Sequence, residues 1–179
     1  MKQTTFRLDF GLKKPVRVLH LSDTHFCVAD ERDCVRKREL AKKREHAFGI
    51  PTEELSSLWR ESVAYGKSHD DLILHTGDFC DFVSVRLLEM LHEEMSGGEF
   101  FFAVGNHEFC QYVGDLDEDA QYKLRSVEEV RLASPNGLYF ASRVVGGVNF
   151  VALDNSYYLV TKAQREMLEA EVAKGLPVA

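Results

Sequence analysis

Four stretches of the chain are apolar almost without interruption: VRVLHLSD (16–23), DLILHTGD (71–78), EFFFAVGN (99–106) and GVNFVALD (147–154). Runs of this length and character predict strands covered on both faces. A fifth stretch, TFRLDFGL (5–12), alternates instead. Phe6, Leu8, Phe10 and Leu12 fall on one side and Arg7 and Asp9 on the other, which predicts a half-exposed strand. The segments between the first three apolar runs are long enough for helical crossovers. That arrangement predicts an α/β fold with parallel strands. LYFASRVVGGVNFVAL (138–153) predicts a hairpin turning at Gly146-Gly147.

Helix ends are legible in the same way. Thr52 is a predicted cap for a helix with Leu55, Leu58, Trp59 and Val63 on its apolar face. Asp81 is a predicted cap for the next, with Val83, Leu87, Leu91 and Met95 inward and Gly97-Gly98 ending it. A third spans about 117–132, with Ala120, Leu124 and Val127 inward. The last starts at the capping box Thr161-Lys-Ala-Gln164 and stops at Gly175. His20 and His75 lie inside apolar runs and read as core histidines. His46, His69 and His92 read as solvent-facing. Asp115, Asp117 and Asp119 lack the glycine and glutamate spacing of a calcium loop and read as helix N-terminal acids. Asp154 and Asn155 read as turn residues or as part of a pocket lining.

Length and composition narrow the class. The 179 residues fit one domain, 1–179, and 45% apolar with 28% charged is ordinary for a globular protein. The net charge of −7 gives no indication of nucleic acid or an anionic membrane as partner. No apolar run approaches the ~20 residues of a membrane span. The N-terminus shows no secretory h-region, so a cytoplasmic location is expected. Cys27, Cys34, Cys80 and Cys110 lack paired zinc spacing and read as reduced thiols, three of them close to the motifs below. Residues 32–45 hold seven Lys/Arg against three acids, a local +4 that leaves −7 − 4 = −11 elsewhere. This reads as a solvated helix, or as a guide for an anionic substrate, because it follows directly on Asp23 and His25.

The chemistry gathers at strand ends. The first apolar run closes on Asp23 and His25, the second on Gly77-Asp78, the third on Gly105-Asn106 followed by His107 and Glu108. In α/β sheets the carboxyl edge of the strands is where ligands bind. Carboxylates and imidazoles without cysteine suit Mn²⁺, Fe or Zn²⁺ in a catalytic rather than a structural role. Asp23 and His25 are expected to hold one ion, Asn106 another, and Asp78 to bridge them. His107 is the expected general acid, beside the ligands rather than among them, with Glu108 orienting it.

SDTH (22–25), GD (77–78) and GNHE (105–108) together resemble the calcineurin-like metallophosphoesterase superfamily. The resemblance implies a sandwich of mixed β-sheets flanked by helices. It implies hydrolysis of a phosphomonoester or phosphodiester by a metal-activated water at a dinuclear centre. Family members continue with a strand to a metal-binding histidine and a later Gly-His-x-His motif. No histidine follows His107 here. The expectation is a domain that lacks the C-terminal part of the fold, holds at most one ion firmly, and self-associates through uncovered sheet surface. The alternative is a non-catalytic remnant serving as a metal-binding or protein-interaction module.

Overall fold

The computed structural model describes residues 4–114 and 120–179. Strands β1 (Val18–Leu21), β2 (Leu72–His75) and β3 (Phe100–Phe102) form a parallel sheet in that order. Val18 stands opposite Leu72, and Leu74 opposite Phe101. Helices α1 (Val35–Phe48) and α2 (Thr52–His69) connect β1 to β2, and α3 (Val85–Met95) connects β2 to β3. After α4 (Ala120–Ala133) come the antiparallel strands β4 (Phe140–Val145) and β5 (Val148–Leu153), and then α5 (Lys162–Val172). Residues 177–179 run parallel to β5, with Asn149 N–H donating to Pro177 at 2.8 Å and Ala179 N–H to Asn149 at 3.0 Å.

The regular strands are shorter than the apolar runs because each run ends in a turn at its polar residues. Both faces of the parallel sheet are covered. On one, Ile73, Phe100 and Phe102 pack with Trp59, Val63, Leu87, Leu91 and Met95 of the helices. On the other, Leu72 and Phe101 pack against Val148, Phe150 and Ala152 of the hairpin. The outer edge of β3 is closed by a side chain: Asn136 Oδ1 accepts from Phe102 N–H and Asn136 Nδ2 donates to Phe102 O, each at 2.8 Å. A capped edge cannot template another strand.

Several local expectations need correction. Residues 4–11 form no strand, and Phe6 and Leu8 are 85% and 73% exposed. Among the described residues no strand pairs with this segment, and alternation without a ladder partner does not make a strand. The α2 cap is Pro51, while Thr52 turns its N–H and hydroxyl to Glu45. Leu58 and Leu124 lie on exposed helix faces; Trp59 and Val63 face inward as expected, and on α4 Tyr122 and Val130 are the buried positions. The α3 cap is Ser84, whose hydroxyl accepts from Leu87 N–H at 3.0 Å. The α5 capping box is present as predicted. His20 is exposed on the edge strand β1 and bonds Thr76 Oγ1 at 2.8 Å. Asp154 is a turn acceptor for Ser156 and pairs with Lys123. The acids Asp115, Asp117 and Asp119 lie outside the described residues.

His75 is the buried histidine the pattern implied. It is fully enclosed by Trp59, Phe79 and Phe102, with its Nδ1 accepting from Gly77 N–H at 3.3 Å. Burial pushes its pKa down to about 3, from an ordinary 6.5. Below pH 6.5 the unfolded chain binds a proton there that the folded chain refuses until about pH 3. Stability contributed by the neutral ring is therefore intact above 6.5 and falls as pH drops, by ~1.4 kcal/mol per unit. Urea denaturation of wild type and His75→Gln across this window is expected to show a shallower pH slope in the variant. Identical slopes would contradict this account of the ring.

Candidate metal centre

The loops after β1 and β2 are laced together beyond the last ladder pair. Asp23 N–H donates to Gly77 O at 3.1 Å, His25 N–H to Asp78 O at 2.9 Å and Phe26 N–H to Phe79 O at 2.8 Å. This lacing holds an unusual backbone. Asp23, His25 and Asp78 have φ of 54°, 47° and 56°. Left-handed conformations in non-glycine residues cost of order 1–3 kcal/mol each and gather at functional sites. Among the described non-glycine residues only Tyr158 shares this conformation without being a candidate ligand.

The third strand end is drawn in by glycine. A Cβ on Gly105 would stand 2.1 Å from Asp78 Oδ1, and one on Gly77 would stand 2.6 Å from Gly105 N. Neither position admits a side chain. His107, in the short turn His107–Phe109, then donates its N–H to Asp78 Oδ1 at 3.1 Å. Glu108 is fully buried and accepts from the N–H of Asp78 at 2.9 Å, Cys80 at 3.0 Å and Gly105 at 2.8 Å. Burial, with the nearby Asp78 charge, pushes its pKa up to about 7. The expectation that Glu108 orients His107 is therefore corrected. Its oxygens hold the backbone of the loops that carry Asp78 and Asn106.

The group that orients the histidines is Asp81. Its side chain is wholly buried and receives His25 Nδ1 at 3.0 Å and Arg44 Nε and Nη2 at 2.6 and 3.0 Å. His107 Nδ1 lies 2.8 Å from the Asp81 carbonyl oxygen and 3.4 Å from the carboxylate. Burial by itself would raise the Asp81 pKa, but the hydrogen bonds from His25 and Arg44 and the Arg44 charge hold it below the usual range. The same Asp81 hydrogen bond raises the His25 pKa against the opposing effect of burial. Read as a helix cap, Asp81 was missed. The overlooked signal is its setting in Phe79-Cys-Asp-Phe-Val83, where a carboxylate among apolar residues requires a buried partner.

These bonds fix the ring nitrogens. A carboxylate or a carbonyl can only accept, so both Nδ1 atoms carry hydrogen. His25 then turns a lone pair at Nε2 toward Asp23 Oδ1, 3.8 Å away, and Asp78 Oδ2, 3.9 Å away. The ligand-type atoms of Asp23, His25 and Asp78 all lie within 4.8 Å of one another. One divalent ion with bonds of about 2.0–2.2 Å can reach three donors at such spacing. An imidazole held through its other nitrogen by a carboxylate is the usual second layer of such a site. His25, Asp81 and His107 form another close group, but Arg44 already supplies the cation for Asp81. Asn106 is exposed at the third strand end, between Gly105 and His107.

The flanking cysteines are spectators. Cys27 and Cys80 are buried thiols with pKa values raised by burial, and Cys110 is buried and forms no disulfide. Among the described residues no helix is long and apolar enough to cross a membrane. No curated protein matches the chain. The description "Calcineurin-like phosphoesterase" belongs to the family model that matches residues 16–172. That span contains all three strand-end motifs and most of the sequence, and the chain belongs to the calcineurin-like phosphoesterase family.

Proposed function

We propose that the chain hydrolyses phosphomonoesters or phosphodiesters at the Asp23–His25–Asp78–Asn106 edge. The family gives metal-dependent phosphoester hydrolysis as the class. The observation that carries the reading is the convergence of His25 Nε2 with the Asp23 and Asp78 carboxylates, with His107 anchored alongside. Asp23, His25 and Asp78 would hold a divalent ion, with Mn²⁺, Fe or Zn²⁺ suited to the donors, and Asn106 would extend the set toward a second. When bound, such ions polarise the phosphoryl group and acidify water. His107 has its Nδ1 committed to Asp81, so Nε2 is the nitrogen free to meet the substrate. Once protonated, it can pass that proton to the leaving oxygen, and the adjacent Asp81 charge stabilises the imidazolium.

Asp78 is the ligand shared by all parts of this site. Asp78→Asn removes charge and one acceptor while leaving the fold's apolar contacts intact. Manganese binding by titration calorimetry and hydrolysis of phenyl phosphate are both expected to fall at least about tenfold, the scale seen even for residues that only support ligands. Equal manganese occupancy in wild type and variant would remove Asp78 from the site.

A further inference from the structure

Beside the metal centre lies a cavity of about 330 Å³. Asp23 and His25 line it together with Phe48, Ile50 and Leu55. The chain builds it at the turn from α1 to α2. Gly49 ends α1 in the left-handed conformation, its N–H bonded to Glu45 and His46 carbonyls, and Pro51 starts α2. That tight turn leaves Phe48 and Ile50 flanking the glycine and bordering the ligands. Helix α1 is otherwise strongly polar, and only Ala41 is buried on it. Phe48 is its sole phenylalanine, tyrosine or tryptophan, and 44% of it is exposed. Its ring lies 5.5 Å from the His25 ring, tilted by 34°. An aromatic ring half open to solvent, next to a ligand histidine, is placed to meet whatever the phosphoryl group carries.

The remaining lining says what that group is. Glu45 is engaged by Thr52, which donates its hydroxyl at 2.5 Å and its N–H at 3.2 Å. The Cys27 thiol donates to the His25 carbonyl at 3.2 Å. Glu45 Oε2, the Cys27 thiol and the Thr24 hydroxyl, which lie between the ligands and the apolar wall, are thus already paired. Among the described residues no lysine or arginine lines the cavity. Arg44 stands close to the Phe48 ring, at 4.8 Å, but its Nε and Nη2 are committed to Asp81. An anionic extension of the substrate finds no counter-ion here and meets Glu45. An uncharged planar or apolar group finds Phe48, Ile50 and Leu55 and displaces water from all three.

We infer that this cavity is the leaving-group subsite, and that it selects phosphoesters whose alcohol is an uncharged aromatic or apolar group. This rests on the phosphoesterase reading above and names its substrate class. Phe48 is its specificity-determining residue. An aromatic pair together with the buried area favours such a group by about tenfold over a methyl.

The test measures binding, not turnover. Phenylphosphonate, methylphosphonate and phosphonoacetate are titrated into the manganese-loaded protein, wild type and Phe48→Ala. Circular dichroism checks that the variant is folded, as expected for a half-exposed side chain. Phenylphosphonate is expected to bind wild type about tenfold more tightly than methylphosphonate, with the gap falling below about threefold in Phe48→Ala. Equal affinities in wild type, a gap that survives in Phe48→Ala, or preference for the anionic phosphonoacetate would each overturn the subsite. Binding with the expected gap but no hydrolysis of phenyl phosphate would sink the phosphoesterase reading and with it the leaving-group role, leaving only a cavity that prefers an aromatic group. Hydrolysis without a phenyl preference would do the reverse. Failure of all three phosphonates to bind would overturn both.

Discussion

Glu108→Ala is expected to cost about 3–5 kcal/mol of stability and to weaken manganese binding at least tenfold. Glu108 has no exposed surface, and its two oxygens take the backbone N–H groups of Asp78, Cys80 and Gly105. Alanine leaves all three amides without an acceptor in a space that was closed to water. An unsatisfied buried donor costs about 1–3 kcal/mol. Part of that sum is offset, because the carboxyl itself is poorly placed for charge: burial pushes its pKa up to about 7. The effect on metal follows from geometry. The amide of Asp78 belongs to a residue at φ 56°, and that of Gly105 to a position that grazes the Asp78 carboxylate. Once those amides are released, the strained ligand loop relaxes toward ordinary backbone and its carboxylate leaves the donor set. Glu108→Gln separates the two contributions. It keeps one carbonyl oxygen but turns an NH₂ toward an N–H donor, so an intermediate loss is expected. Urea denaturation and calorimetric titration with Mn²⁺ read the two effects. A Glu108→Ala protein within 1 kcal/mol of wild type and with unchanged affinity would show that the three hydrogen bonds do not hold the site.

What the sequence made legible, and what it left hidden, divides along a physical line. The apolar runs at 16–23, 71–78 and 99–106 announced parallel strands because both sheet faces are covered, and their polar ends announced the candidate site. Asp23, His25 and Asp78 were readable as candidate ligands because a polar residue at a strand end interrupts the apolar run that delivers it. The expected apolar gap on the far face of the sheet does not arise at its centre: Val148, Phe150 and Ala152 of the hairpin cover Leu72 and Phe101. Asp81 was hidden because an acid ahead of a helical run resembles a cap. Its true role depends on Arg44, 37 residues earlier, which looked like one more charge on a solvated helix. Glu108 was hidden for a related reason. Its partners are backbone amides, and an amide leaves no trace in the residue pattern. Phe48 and Ile50 join the site only through the turn at Gly49, which sets the angle between two helices that periodicity treats separately.

Asp81→Asn is expected to destabilise the protein by about 3–5 kcal/mol, the range for stripping one partner from a buried charge pair. The carboxylate has no solvent contact and answers two donors, Arg44 through two nitrogens and His25 through Nδ1. Asparagine offers one oxygen, so one of the two must face its NH₂. If Arg44 keeps the oxygen, His25 loses its acceptor and its preferred tautomer, and Nε2 no longer presents a fixed lone pair to Asp23 and Asp78. If His25 keeps it, the guanidinium is left partly buried without a counter-charge. The two costs can be separated. Arg44→Met in the Asp81→Asn background removes the stranded cation and keeps an unbranched apolar stem in its place. The double variant is expected to recover about half of the lost stability, because a pair removed together costs less than one partner removed alone. It is not expected to recover metal affinity, since the acceptor that fixes His25 is still an amide. Urea denaturation of the single and double variants gives the first quantity and manganese titration the second. Recovery of both together would place Arg44, not the tautomer of His25, at the centre of the defect. An Asp81→Asn protein as stable as wild type would mean that Asp81 is protonated in the folded chain and that the three-way pairing carries no charge.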